Sequence, residues 1–290
     1  MKVWRAIISV WWEVTFMNKL LHTNFIRMRK SIAFCLSIAF ILGWNAVLLF
    51  SNYEVMTKYE ENIPLDSMLF SFLIIIGVVL SIVISFLIGT DYSDGTIRNK
   101  IVIGHKRRNI YMSNFIISAL VAVILCLWGK VIVLAIGIPM FGLPEMSLGS
   151  LIMLFANSSL LCIAYASIYN MISMLCSNKA HTAAICILSA VILLFLSIYF
   201  YSALNQPAMI DQVTSINGEW STAQVPNPHY LTGIKRDIFQ FLQDLLPSGQ
   251  AAQLANLEVV HPLRLCLYSI IVIAATNFFG LLLFNRKDIK

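Results

Sequence analysis

The chain has 290 residues, of which 59% are hydrophobic and only 12% are charged, whereas soluble domains have about a quarter of their residues charged. A protein with so few polar groups cannot cover its surface in water, so the composition excludes a soluble domain in spite of a net charge of +6. The length is therefore divided into membrane spans and their connections.

The first predicted element is the N-terminal segment, residues 1–30. Trp4, Ile7, Ile8 and Trp11 fall on one face at helical spacing, and this apolar face is too short to cross a bilayer. A short amphipathic helix with indole rings is typical of segments that lie in the membrane interface. A simple membrane-surface anchor is the alternative interpretation.

Six apolar stretches follow, each long enough to span a bilayer, since a transmembrane helix needs about 20 apolar residues. They are residues 31–51, 65–89, 113–138, 148–176, 181–204 and 263–284. The fold class is therefore predicted to be all-α integral membrane. Residues 31–204 hold the first five spans, and residues 263–290 hold the sixth span and a tail.

The basic residues are distributed unevenly over the connections. The N-terminal segment, residues 90–112, residues 177–180 and the tail hold 15 of the 20 Lys and Arg residues, whereas the opposite connections hold four, counting Arg264 at a border. By the positive-inside rule, both termini are predicted to be cytoplasmic. Because the excess charge lies on one side of the bilayer, it does not indicate a nucleic-acid partner.

The connection at residues 90–112 is more highly charged than a simple turn requires. Asp91, Asp94 and Gly95 are turn-forming residues, Thr96 can cap a short helix and Gly104 can end it. A short helix held between two spans would act as a lever, because a partner that pushes on it would rotate both spans. The alternative is an ordinary basic loop.

Lys130 is the exception in spans that otherwise contain almost no charge. It lies about eight residues from the outer end of the third span, which is a depth of about 12 Å. A lysine at this depth either lines a watery substrate path or extends its ammonium group to the outer headgroups. Both interpretations remain open from the sequence.

No motif for a reaction is present in the sequence. There is no GxxxxGK[ST] phosphate loop, no GxSxG, no HExxH and no paired Cys/His spacing. The chain is therefore not expected to bind ATP by a phosphate loop, to hold a metal or to act as an enzyme.

The outer connection at residues 205–262 is too long for a plain connector. Its first part shows no clear period, whereas its second part predicts an amphipathic helix that ends at Pro247, followed by a second short helix. Helices of this kind either lie on the outer leaflet or cap the transmembrane bundle. The apolar face of the first helix is expected to pack on the mouth of the bundle as an external gate. Its residues are Ile234, Ile238, Phe241, Leu242, Leu245 and Leu246.

With these elements in order, the chain resembles the permeases of ABC-2 type exporters. The resemblance rests on Asp-Tyr-Ser-Asp-Gly-Thr at residues 91–96, between the second and third of six spans, and on Leu-Pro-Ser-Gly-Gln at residues 246–250 before the last span. Many members have Glu where this chain has Asp91, and a Pro followed by Arg near residues 105–108.

The resemblance implies a subunit that pairs with a second permease, either an identical copy or a sister chain, in a bacterial plasma membrane. Each permease would dock on a separate ATP-binding subunit, which would carry the ATP and Mg²⁺. Members of this small form often export hydrophobic cargo, including antimicrobial or toxin-like peptides. The residues expected to contact the ATPase are Asp91, Asp94, Gly95, Thr96, Ile97, Arg98, Asn99, Lys100, Ile101, Ser177, Asn178 and Lys179.

Two other functions fit six spans. An ion-coupled secondary transporter usually needs carboxylates near the middle of the membrane, but Asp91 and Asp94 lie at the boundary of a span. A membrane sensor or scaffold could use the long outer connection to bind a ligand. A neighbouring reading frame that encodes a phosphate-binding loop would favour the exporter over both.

Overall fold

The computed structural model describes residues 17–216 and 219–288. Residues 17–30 are helical and are named α1. The predicted apolar face formed by Trp4, Ile7, Ile8 and Trp11 lies outside the described residues.

Six helical segments are long and apolar enough to cross a membrane, so the all-α six-span prediction is confirmed. They are α2 (Ile32–Tyr59), the consecutive α3 (Asp66–Leu69) and α4 (Leu73–Ser93), α6 (Arg107–Phe141), α7 (Leu148–Leu175), α8 (Lys179–Leu204) and α11 (Pro262–Arg286). The short helix α5 (Thr96–Val102) joins α4 to α6. The bundle therefore has an α5 end and an opposite end.

Several helices are longer than their predicted spans. For example, α2 continues to Tyr59 and α6 begins at Arg107, where the sequence analysis placed span boundaries at residues 51 and 113. Counting apolar residues stops at the first polar side chains, but backbone hydrogen bonding continues past them. At 1.5 Å per residue, the 35 residues of α6 extend about 52 Å, so this helix is longer than the hydrocarbon core of about 30 Å.

Small residues allow the spans to pack closely in the core. A methyl group at Gly77 would lie 2.7 Å from the Tyr165 ring, and one at Gly280 would lie 2.0 Å from the Tyr111 hydroxyl. Helices in a membrane associate through close packing of this kind, because lipid supplies no hydrophobic driving force between them.

A β-hairpin occupies the first part of the long connection, for which no regular structure was predicted. Strand β1 (Met209–Ile216) pairs antiparallel with β2 (Glu219–Pro226), with Ile210 opposite Val225. The hairpin is a small addition to an otherwise helical chain. Helices α9 (Gly233–Leu245) and α10 (Pro247–Ala255) follow it.

Helix α9 is amphipathic as predicted, and its apolar face packs only partly on the bundle, where the Phe241 ring lies edge-on to the Tyr268 ring of α11 at 5.7 Å. Ile238 and Phe241 are 51% and 47% exposed. Leu242 and Leu245 of the same face are half-buried. The buried residues of α9 are polar, Gln243 and Asp244.

Gln243 and Asp244 near the end of α9 are buried because α10 supplies their hydrogen-bond partners, whereas Lys235 and Asp237 of the same helix are exposed. Gln243 Nε2 donates to the Gly249 carbonyl at 3.3 Å. Gln250 Nε2 donates to the Asp244 carbonyl at 2.8 Å, and Gln253 Nε2 donates to Asp244 Oδ1 at 3.0 Å. These bonds satisfy polar groups that would otherwise be costly to bury.

The corner between α9 and α10 is inserted between α8 and α11. Ser197 Oγ of α8 donates to the Ser248 carbonyl at 2.9 Å, and Ser269 Oγ of α11 donates to Gln250 Oε1 at 2.7 Å. Each serine lies seven residues from the nearer end of its helix, a distance of about 10 Å. The α9–α10 corner therefore re-enters the bundle from the end opposite α5.

Candidate functional site

The candidate site is the reversal between α4 and α6, where α5 is held across the end of the bundle. Helix α4 continues through Ser93, and the chain reverses at Gly95, whose φ of +66° is in the left-handed region that favours glycine. Helix α5 begins at Thr96, one residue earlier than predicted, and Gly95 stands at its N-cap. Gly104, with φ +100°, follows the end of the helix, close to where the sequence analysis placed it.

Helix α5 has an inner and an outer face. On the inner face Ile97 is 1% exposed and Ile101 packs against the core. The outer face of α5 and its adjoining turns has exposed residues, among which Val102 and Ile103 are 78% and 71% exposed. The exposed residues, named here the α5 outer face, are Asp94, Arg98, Asn99, Val102 and Ile103.

A buried carboxylate, Asp91, holds α5 in place. Its side chain is 1% exposed; Oδ1 forms an ion pair with the Arg27 guanidinium of α1, and Oδ2 lies 3.4 Å from Lys100 Nζ of α5. Thr96 Oγ1 donates to the Asp91 carbonyl at 3.0 Å, and Arg27 also donates to the Leu87 carbonyl at 3.2 Å. Asp91 thus joins α1, α4 and α5.

Asn24 extends this set of contacts to α6. Lys100 Nζ donates to Asn24 Oδ1 at 3.2 Å, and Asn24 Nδ2 donates to Asn114 Oδ1 of α6 at 2.9 Å. The residues Asn24, Arg27, Asp91, Thr96 and Lys100 are named here the Asp91 network. A displacement of α5 would be transmitted through it to three other helices.

The Asp91 network pairs a partly buried cation, Lys100, with a buried anion, Asp91. Burial lowers the pKa of the Lys100 ammonium, and the negative charge of Asp91 opposes that effect. The pKa of His105, just after α5, is also lowered by burial and by the neighbouring Lys100 and Lys19 charges. The negative charge of Asp91 therefore partly offsets the effect of burial on the Lys100 ammonium.

The connection between α7 and α8 lies against α4. Asn178 Oδ1 accepts a hydrogen bond from the Ala180 amide at 2.8 Å and so caps α8. A methyl group at Gly89 of α4 would lie 3.2 Å from Lys179 Cα, so the two backbones are in close contact. The structure thus brings Lys179 beside the end of α4, while Ser177 and Asn178 are exposed there.

The C-terminal residues are attached to the same end of the bundle. Lys287 Nζ donates to the carbonyls of Met174 and Cys176 at 3.1 and 2.8 Å and to the Tyr92 hydroxyl at 3.0 Å. These carbonyls lie at the end of α7, where a cation is favoured. Burial lowers the pKa of Lys287 to about 8.

Lys130 of α6 packs against Phe155 of α7. Its side chain is 1% exposed, Nζ donates to the Phe155 carbonyl at 3.3 Å, and the ammonium lies 4.4 Å from the centre of the Phe155 ring. In this conformation its ammonium is enclosed between α6 and α7 and does not reach the surface of the bundle. In residues 17–216 and 219–288 no group of three or more His, Cys, Asp or Glu residues could hold a metal ion.

Several residues of this site were not predicted from the sequence. Arg27 and Asn24 belong to the Asp91 network, and Val102 and Ile103 to the α5 outer face. The available signal for the second pair was their position, since Val102 and Ile103 directly precede Gly104 and the basic residues 106–108.

Comparison with known proteins gives one family. A family model described as ABC-2 family transporter protein matches residues 16–225, a range that includes α1, the first five spans, the Asp91 network and the α5 outer face. No curated protein matches the chain. The chain therefore belongs to the ABC-2 family of transporter proteins, as a membrane-spanning permease subunit that associates with an ATP-binding subunit.

Proposed function

We propose that this permease belongs to an ATP-driven exporter of a bacterial plasma membrane and works with a second permease, either an identical copy or a sister chain. The uneven distribution of Lys and Arg supports an orientation in which the α5 end faces the cytoplasm. ATP and Mg²⁺ would bind to the partner ATPase. This chain would supply the path through the membrane.

The α5 outer face would be the docking surface for the ATPase. It combines charged residues, Asp94 and Arg98, with the exposed apolar Val102 and Ile103, and a mixed surface of this kind suits a soluble partner. The single observation that carries the proposal is that this exposed face lies on α5, whose Lys100 forms an ion pair with the buried Asp91. Movement of the ATPase would then move the spans and not only a loop.

The cargo is proposed to be a hydrophobic or amphipathic molecule, with a peptide as the favoured class, moved out of the cytoplasm or inner leaflet. The apolar spans support this choice because a strongly hydrophilic cargo would find few partners in them. The α9–α10 corner would form the outer gate, with Ile238, Phe241, Leu242 and Leu245 on the helix that moves. Lys130 is proposed to face the cargo only if the spans rearrange, since it is now buried.

The test is co-purification of the permease with its ATPase, combined with cargo efflux, for Asp94→Lys and Arg98→Glu. Both side chains are exposed, so the fold should tolerate the changes. Loss of one charge-assisted contact costs about 2–3 kcal/mol, which weakens binding about 30- to 150-fold. Arg108→Glu is the matched control, because Arg108 is exposed at the same end but lies outside the α5 outer face.

The two variants should lose the ATPase during purification and lose efflux, while the control retains both. Normal ATPase yield and normal efflux in Asp94→Lys and Arg98→Glu would reduce α5 to a basic loop. Equal losses in all three variants would indicate a general effect of charge reversal at this end of the bundle and would also contradict the proposed docking surface.

A further inference from the structure

A groove of about 620 Å³ lies between α2 and α4. Its walls are almost entirely apolar and include Ile32, Leu36 and Phe40 of α2 and Val78, Ile82 and Phe86 of α4. The α2 side chains are 76%, 64% and 51% exposed. The groove is therefore open sideways, toward the hydrocarbon of the membrane.

The groove lies in the half of the bundle nearest α5. Its α2 wall falls within the first nine residues of that helix, from Ile32 to Phe40, a length of about 13 Å. Phe86 on the opposite wall is seven residues from the end of α4 at Ser93. The groove thus covers the depth of one leaflet.

One charged side chain, Lys179, lines the groove. Its ammonium lies 5.6 Å from the centre of the Phe86 ring. Among the residues that the structure describes, no carboxylate forms an ion pair with it. Lys179 is also the first residue of α8, and the start of a helix favours an anion and disfavours a cation. The start of α8 and the Lys179 ammonium together favour a negative group at this edge of the groove.

We propose that this groove binds an anionic membrane lipid, with an acyl chain between α2 and α4 and the head phosphate at Lys179. An acyl chain that enters the groove passes from bulk lipid to another apolar environment and gains little free energy. The preference for one lipid over another therefore comes from the head group. The inference rests on the proposed function only in identifying the leaflet as cytoplasmic.

Native mass spectrometry of the purified full-length chain in a mild detergent tests the head-group contact. The probe is an equimolar mixture of phosphatidylglycerol and phosphatidylcholine with identical chains. The wild type should retain phosphatidylglycerol about fivefold over phosphatidylcholine, which is the effect of one basic residue on anionic lipid. Lys179→Gln should abolish this preference and Lys179→Arg should keep it, while Arg108→Gln, an exposed control at the same end, should match the wild type.

A second pair of variants tests the chain-binding part of the groove. Ala33 lines the groove and Ala39 is exposed on α2 outside it. Ala33→Trp should fill the groove and remove the retained lipid, whereas Ala39→Trp should leave it. Elution of each variant as a monodisperse peak would show that the fold is intact.

Equal retention of the two lipids by the wild type, or an unchanged preference in Lys179→Gln, would overturn the proposal. The retained lipid would then be non-specific annular lipid. Retention of the lipid in Ala33→Trp would overturn the location. These measurements need no ATPase, so their failure would leave the docking of α5 untouched. Failure of ATPase co-purification would in turn leave lipid binding intact.

Discussion

Replacement of Asp91 by asparagine should release α5 from α1. Asp91 is the counter-ion of both Arg27 and Lys100, and in the part of the chain that the structure describes no other carboxylate pairs with either cation. Asparagine keeps the size of the side chain but removes its charge. The two cations would then face each other across a buried amide.

The size of the effect follows from burial. Removal of one partner of a fully buried ion pair costs about 3–5 kcal/mol. The side chains of Arg27 and Lys100 are 28% and 12% exposed, so water would solvate part of each stranded charge, and about 2–3 kcal/mol is expected. Such a change favours local opening of the Asp91 network about 30- to 150-fold.

Hydrogen exchange measured by mass spectrometry on the purified protein tests this prediction. Peptides from α1 and α5 should exchange faster by that factor, because the cost of opening these helices falls. Asp94→Asn is the matched control, since Asp94 is exposed only three positions away. The double variant Asp91→Asn with Lys100→Met should recover part of the protection. Equal exchange in the Asp91 and Asp94 variants would refute the reasoning.

Three further predictions concern stability, each read from thermal melting of the purified protein. Gly249→Ala places a methyl group 2.0 Å from the Gln243 carbonyl and should cost about 1–3 kcal/mol; Gly43→Ala, with nothing within 4 Å, is the control, and equal Tm values would contradict the packing. Gln243→Ala should cost about 1–3 kcal/mol by removing a buried hydrogen bond, and an unchanged Tm would mean that this face of α9 is solvated. Burial lowers the pKa of Lys287 from 10.5 to about 8, so the unfolded chain binds more protons between these values and stability rises with pH there. The Tm of the wild type should therefore rise relative to the Tm of Lys287→Gln from pH 7.5 to 9.5, whereas a constant difference between the two Tm values would contradict this prediction.

The spans and α5 could be predicted because their signals are local. A helix in lipid must satisfy its own backbone and present apolar side chains all round, so counting apolar residues finds it. The reversal before α5 was visible from Gly95 and the adjacent acidic residues, whose conformational preferences depend on few neighbours. The helix ends were less accurate, since helices extend into the headgroup region.

The remaining features depend on contacts distant in sequence. Arg27 and Asp91 are 64 residues apart, and nothing in either segment alone predicts their pairing. The burial of Gln243 and Asp244 in α9 was missed because amphipathicity defines two faces of a helix without showing what surrounds them. A water-soluble helix turns its apolar face to the protein core. Here the surrounding lipid is apolar, and the space between α8 and α11 contains the polar side chains of Ser197 and Ser269, so polar groups face inward. The hairpin signal was the Asn-Gly pair at residues 217–218, typical of two-residue turns.

The α9–α10 corner also constrains the order in which the chain can assemble. Helix α8 is synthesised before the corner and α11 after it, and each supplies one serine to it. Until α11 has entered the membrane, Gln250 lacks its Ser269 partner, and polar groups at a depth of about 10 Å are unsatisfied. Final burial of the corner must therefore follow insertion of α11, so the two ends of the bundle are completed at different stages of synthesis.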